Sequence, residues 1–191
     1  FAHEVGVSLP DPLRQRLLQI SPGGRVFWRS LRTGSSPDWI GPTVTGAGPE
    51  RPATVLISAD QVGAFSSYAL AFEDDFSAAY LLDLETWAWE PIGGTAPPVR
   101  KRAAATFDPL EGRAYLFGGL DDRGPRNDVW AVDLSSRSWM SLKPSGAAPP
   151  RRAGARLVLD GARSQLILLG GDGGFFGIED RLRDLWALDL T

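Results

Sequence analysis

One internal repeat constrains this chain more than any other feature. The stretch from Pro97-Pro98-Val99-Arg100 through Phe107-Asp108 to Leu116-Phe117-Gly118-Gly119 returns, 52 positions on and without a gap, as Pro149-Pro150-Arg151-Arg152, Leu159-Asp160 and Leu168-Leu169-Gly170-Gly171. A second half-motif follows each copy. Val129-Trp130-Ala131-Val132-Asp133-Leu134 recurs as Leu185-Trp186-Ala187-Leu188-Asp189-Leu190, and Ala79-Tyr80-Leu81-Leu82-Asp83-Leu84 is an earlier form of it. Nine residues after its first aromatic the unit closes on a tryptophan, Tyr80 leading to Trp89 and Trp130 to Trp139, while the chain reaches Thr191 before a third such Trp. Alternation and turn residues divide each unit into four short strands. In the middle unit these fall at about 102–107, 113–117, 129–134 and 138–142.

A four-stranded unit of this length, with diglycine after the second strand and Trp in the fourth, resembles the Kelch repeat, the blade of a β-propeller such as the central domain of galactose oxidase. The resemblance covers about residues 49–191 and implies an all-β fold of about three four-stranded blades, in units 49–92, 97–142 and 149–191. It assigns structural roles to Gly118, Gly119, Gly170 and Gly171, where a Cβ would block close approach, and to Trp89, Trp130, Trp139 and Trp186, which fill the space between blades. The first unit is divergent, with Tyr68-Ala69-Leu70-Ala71-Phe72 where the diglycine belongs.

Upstream, Trp28-x-Ser30-Leu31 echoes Trp139-x-Ser141-Leu142, so 25–31 reads as an extra N-terminal strand that supplies the fourth strand missing from the last copy. The blades then belong either to a larger propeller of which this chain is a segment, the favoured reading, or to a two-chain ring built by a homodimer. Residues 1–24 form a separate N-terminal segment, and Asp11-Pro12 before apolar residues at helical spacing predicts a short helix over 11–20.

Composition narrows the function. A formal net charge of −3 argues against a nucleic-acid partner. The absence of cysteine excludes disulfides, thiolate metal sites and a thioether copper radical, and the single His3 stands near the terminus, so no metal site and no cofactor is expected. No apolar run approaches the roughly 20 residues of a membrane helix. A soluble chain without membrane insertion is expected, with a secreted or periplasmic setting slightly favoured over the cytoplasm.

Propellers place function on loops near the first strands, and here those positions carry Arg100 and Arg102, then Arg151 and Arg152. Kelch proteins use arginines in this region to hold acidic segments, and guanidinium groups at a concave mouth can clamp carboxylates. The competing expectation is that each Arg caps a turn or pairs with an Asp such as Asp83 or Asp133. Phe175 and Phe176, in the longest loop that breaks the repeat, are the other candidates for partner contact. Glu73-Asp74-Asp75, Asp121-Asp122 and Glu179-Asp180 read as solvated turns, and Asp83, Asp133 and Asp189, present in every copy, as turn formers. No catalytic set appears in one copy alone. The expectation is therefore a binding or scaffold module for a protein or peptide, with a rigid spacer or a Kelch-like carbohydrate enzyme completed by residues elsewhere as the alternatives.

Overall fold

The computed structural model describes residues 6–36, 38–57, 67–175 and 180–190, with only the backbone path given for 53–57. It is all-β among these residues apart from one 3₁₀ turn at Pro22–Gly24. Two compact units divide the chain, the first made of Phe1–Asp74 with Ala78–Ile92 and the second of Asp75–Ser77 with Gly93–Thr191.

The first unit holds two antiparallel sheets. Strands β1 (Val7–Asp11), β2 (Arg16–Ser21) and β3 (Arg25–Ser30) follow in order in one; β4 (Pro52–Ile57), β5 (Tyr68–Glu73), β6 (Ala79–Asp83) and β7 (Trp89–Pro91) make the other. Their core joins Leu9, Leu18, Ile20 and Val26 to Ala69, Ala71, Leu82 and Trp89. The second unit repeats the pattern with β8 (Ala104–Asp108), β9 (Arg113–Asp121), β10 (Gly124–Asp133) and β11 (Ser138–Leu142) in one sheet, and β12 (Arg156–Asp160), β13 (Gln165–Asp172) and β14 (Arg181–Asp189) in the next. Edge strands β8 and β12 lie against each other.

The helix expected over 11–20 is a β-hairpin instead. Arg16, Leu18 and Ile20 are buried while Leu17 and Gln19 between them are not, which is a period of two. Asp11-Pro12 opens a turn: the Asp11 carboxylate accepts the Arg14 N–H at 3.2 Å, and Gln15 closes the turn in the left-handed region at φ +50°. Arg25–Ser30 pairs along its whole length with β2, and Trp28 bonds both ways to Ile40 on the other edge, so within the first unit it is the outer strand of the β1–β3 sheet.

One turn recurs in every sheet whose hairpins are described. Asp11, Asp83, Asp108, Asp133 and Asp160 each accept backbone N–H groups two or three residues ahead, and the residue four positions on has positive φ: Gln15, Trp87, Gly112, Arg137 and Ser164. Four of those five are not glycine, so each bears left-handed strain of roughly 1 kcal/mol or more. Ser164 is exposed and sits at φ +51°. Ser164→Gly is expected to stabilise the chain by about 0.5–1 kcal/mol, read as a rise in the denaturation midpoint at unchanged slope.

Candidate binding face: buried arginine locks and an arginine cleft

The two expected arginines that follow the Pro pairs are the most deeply buried charges of the second unit. Arg100 is 1% exposed and Arg152 is 0%. Arg100 donates through Nε to the Pro98 carbonyl at 3.0 Å, through Nη1 to the Gly118 carbonyl at 3.0 Å, and through Nη1 and Nη2 to both oxygens of Asp128 at 2.6 and 2.9 Å. Arg152 makes the same set to Pro150, Gly170 and Asp184, at 3.0, 2.9, 2.5 and 2.8 Å. Indole N–H groups complete each lock, Trp130 donating to Asp128 at 2.8 Å and Trp186 to Asp184 at 2.7 Å.

Both carboxylates stand where the strand pairing shifts by a bulge opposite the first glycine of the pair, between Arg126 and Val129 and between Leu182 and Leu185. Burial pushes Asp128 up, but the hydrogen bonds from Arg100 and Trp130 outweigh it and hold the group below the ordinary range. Asp184 is held well below that range by Arg152 first and then Trp186.

These guanidinium groups therefore spend their donors inside their own sheet, and the anion clamp expected of Arg100 and Arg152 is corrected to an internal one. The partners are neither Asp83 nor Asp133. The backbone of Arg152 does a second job: its N–H donates to the Arg126 carbonyl at 2.9 Å and its carbonyl accepts the Gly119 N–H at 3.0 Å, tying the β12–β14 sheet to the β8–β11 sheet. A Cβ on Gly118 would lie 2.6 Å from the Arg152 carbonyl and 2.7 Å from that of Arg126, at φ +59°. Glycine is thus required there for both space and conformation.

The divergent first copy has lost the lock as a set. By strand pairing Glu73 and Asp74 stand at the diglycine, Ala78 at the Asp and Tyr80 at the Trp. Glu73, 6% exposed, accepts the Glu50 and Arg51 N–H groups at 2.8 and 2.9 Å, and the Arg51 side chain pairs at the surface with Asp74. A different carboxylate holds the same stretch of chain.

The remaining candidates lie beside the locks. Arg102, exposed and at φ +56°, accepts the Gly154 N–H at 2.7 Å and lays its guanidinium over that glycine, whose Cβ, if present, would be 2.8 Å from Nη2. Arg102, Gly154, Gly171, Asp172, Arg181, Leu182 and Arg183 line one cleft of about 600 Å³. Asp172 within it is lowered by N–H groups of Asp180 and Gly174, and further by the charges of Arg102 and Arg181. Arg151 is exposed on the linker just before Arg152 and does not line this cleft. Phe175 is half-buried with its ring over Gly124, 3.5 Å from where a Cβ would stand. Phe176, Glu179 and His3 lie outside the described residues. Sequence reasoning missed Asp128 and Asp184, for which the repeated Asp-x-Trp was the available signal.

Among the described residues no group of three His, Cys, Asp or Glu side chains could hold a metal ion, and no helix is long and apolar enough to cross a membrane.

Repeated four-stranded sheets with diglycine bulges and closing tryptophans are the architecture of Kelch repeats, and residues 71–191 match the family model described as the KLHDC2/KLHL20/DRC7 Kelch-repeats domain. The chain belongs to the Kelch-repeat family. It is 36% identical over 118 residues to the flagellar outer-arm dynein alpha chain of Chlamydomonas reinhardtii, covering 59% of this chain and 2% of that one. The dynein regulatory complex subunit 7 of the same organism is 37% identical over 92 residues, covering 47% and 8%. Bovine Kelch domain-containing protein 2 is 28% identical over 112 residues, covering 59% and 27%. The chain thus spans about a quarter or less of the length of these relatives. Kelch repeats generally mediate protein–protein interaction, and nothing in these comparisons supports a carbohydrate enzyme. Nor do relatives named for flagellar dynein and its regulatory complex favour the secreted or periplasmic setting.

Proposed function

We propose that this chain is a non-catalytic protein-binding module whose arginine cleft holds an acidic segment of a partner. The observation that carries this reading is the convergence of Arg102, Arg181 and Arg183 on one cleft floored by Gly154 and Gly171. Gly154 leaves room for the Arg102 guanidinium to lie flat, and the strained backbone at Arg102 is what directs it there. Guanidinium groups at a concave mouth suit carboxylates because their planar forks match both oxygens. Asp172 sets a limit on this site: a partner carboxylate must displace part of its attraction to Arg102, so several acidic groups are needed, not one. Phe175 and exposed Arg151 are further contact candidates in the same reading.

The test uses an acidic peptide, a fluorescein-labelled run of eight glutamates, with Arg102→Gly and Arg183→Ala. Glycine suits the positive φ at 102, so the first variant removes the side chain without adding strain. Wild type is expected to bind with micromolar affinity that weakens with salt, and each variant to lose about tenfold or more. Equal binding by wild type and both variants would sink the proposal.

A further inference from the structure

We propose that the anion held in the arginine cleft is the phosphate of a phosphorylated serine or threonine on the partner segment, so that phosphorylation of the partner switches docking on. This rests on the reading above of the cleft as the place where an acidic segment binds, and it names the group that fills it.

The cleft gathers cations that the second unit leaves uncommitted. Arg100, Arg113, Arg126, Arg152 and Arg163 each have a carboxylate partner. Arg102 and Arg183, both exposed, have none among the described residues, and both line the cleft. The carboxylate beside them is engaged elsewhere: Oδ1 of Asp172 accepts the N–H groups of Gly174 at 2.8 Å and Asp180 at 3.0 Å, so its own loop fixes it in place. It offsets one positive charge of the cleft without occupying the guanidinium donors of Arg102 and Arg183.

Charge and shape then decide the ligand. Three guanidinium groups and one carboxylate line the cleft, a formal excess of two positive charges. One partner carboxylate leaves half of that excess unmatched, whereas a phosphate monoester carries about −1.5 to −2 at neutral pH on three terminal oxygens and matches it with a single group. Planar guanidinium forks bind such oxygens in pairs. Among the described residues the lining includes no aromatic ring on which a base could stack, which argues against a nucleotide as the source. The cavity of about 600 Å³ leaves room for the residues that flank a phosphorylated side chain.

The probe is a rhodamine-labelled Gly-Ser peptide with one central phosphoserine, titrated against the full chain by anisotropy beside the same peptide carrying serine, one glutamate or two adjacent glutamates in its place. The phosphoserine peptide is expected to bind about tenfold tighter than the serine and single-glutamate forms, and tighter than the two-glutamate form, with Arg102→Gly or Arg183→Ala removing that preference. A pH series is the second readout. Among the described residues the charged groups facing the cleft are Arg102, Arg181, Arg183 and Asp172, with the Asp180 carboxylate over Gly173 beside it. Carboxylates and guanidinium groups hold their charge between about pH 7.5 and 5.5. The phosphate alone passes through its second ionisation, near 6, so its affinity should fall about fourfold across that range while the glutamate peptides hold theirs. Equal binding of the phosphoserine and two-glutamate peptides, or a flat pH series, would overturn the phosphate assignment while leaving the acidic-segment reading standing. Inorganic phosphate that displaces the peptide mole for mole would overturn it too, by assigning the cleft to a free anion. Failure of every peptide, the run of eight glutamates included, would overturn both readings.

Discussion

Replacing Asp128 by alanine is expected to cost about 3 kcal/mol of stability, far more than any exposed ion pair of this chain. The substitution leaves Arg100, 1% exposed, with its two strongest acceptors gone and removes the acceptor of the Trp130 indole. Stranding a buried charge costs about 3–5 kcal/mol, and the low end applies because Asp128 itself keeps 37% exposure through which water can reach the guanidinium. Arg51→Ala is the control: its pair with Asp74 is open to solvent, 61% on the arginine side, and its loss should cost about 0.5 kcal/mol or less. The effect also has a pH signature. A carboxyl held below its unfolded value of about 3.9 contributes fully above that value and loses its contribution as pH falls through the lower, folded one. Asp128 is such a group. The gap between wild type and Asp128→Ala, measured by urea denaturation, should therefore be constant near neutrality and narrow as pH drops below about 4. A gap under 1 kcal/mol at pH 7 would show that the lock does not hold the sheet.

Gly118→Ala is the second large effect, expected at about 3–4 kcal/mol. An L-residue at φ +59° bears roughly 1–2 kcal/mol of strain. The added methyl also forces apart the Arg152 and Arg126 carbonyls, each engaged in a backbone hydrogen bond worth about 1 kcal/mol. For a chain of this length that is a fall in melting temperature on the order of 10 °C. Gly146→Ala separates the two causes, since that glycine has similar φ but no neighbour within 4 Å; it should lose only the strain. Equal losses in the two variants would remove the close approach from the explanation.

The repeat, the strand order and the diglycine were legible because each depends on local spacing that a one-dimensional comparison preserves. The partners of Arg100 and Arg152 were not, for a specific reason. The locks align at an offset of 52 for their arginines but 56 for Asp128 and Asp184, because the loop after Gly171 is longer than that after Gly119. The recurring half-motif, which matches at that offset of 56, begins one residue later, at Val129 and Leu185, so both aspartates fell just outside the matched stretches. The N-terminal hairpin was missed because Asp-Pro opens turns as readily as helices; the buried alternation of Leu18 and Ile20, against half-exposed Leu17 and Gln19, decided it, and that depends on the sheet behind them. In the cleft, Arg102 was visible from its place after Arg100, whereas Arg181 and Arg183 come from a strand whose bulge determines where it points.

The two allegiances of Arg152 bear on how such a chain can be cut and rejoined. Its side chain belongs to the sheet that follows and its backbone to the sheet before, so no boundary at that residue is neutral. A crossover between Arg152 and Asp184 would carry a buried cation into a neighbour lacking its carboxylate, whereas one placed in the exposed linker around Gly146 would transplant arginine, bulge, aspartate and indole together. The heritable module of this protein therefore begins in the linker ahead of each arginine, out of step with the hydrogen-bonded sheets by about half a loop, and grafted or shuffled repeats that respect that phase should fold where strand-to-strand joins do not.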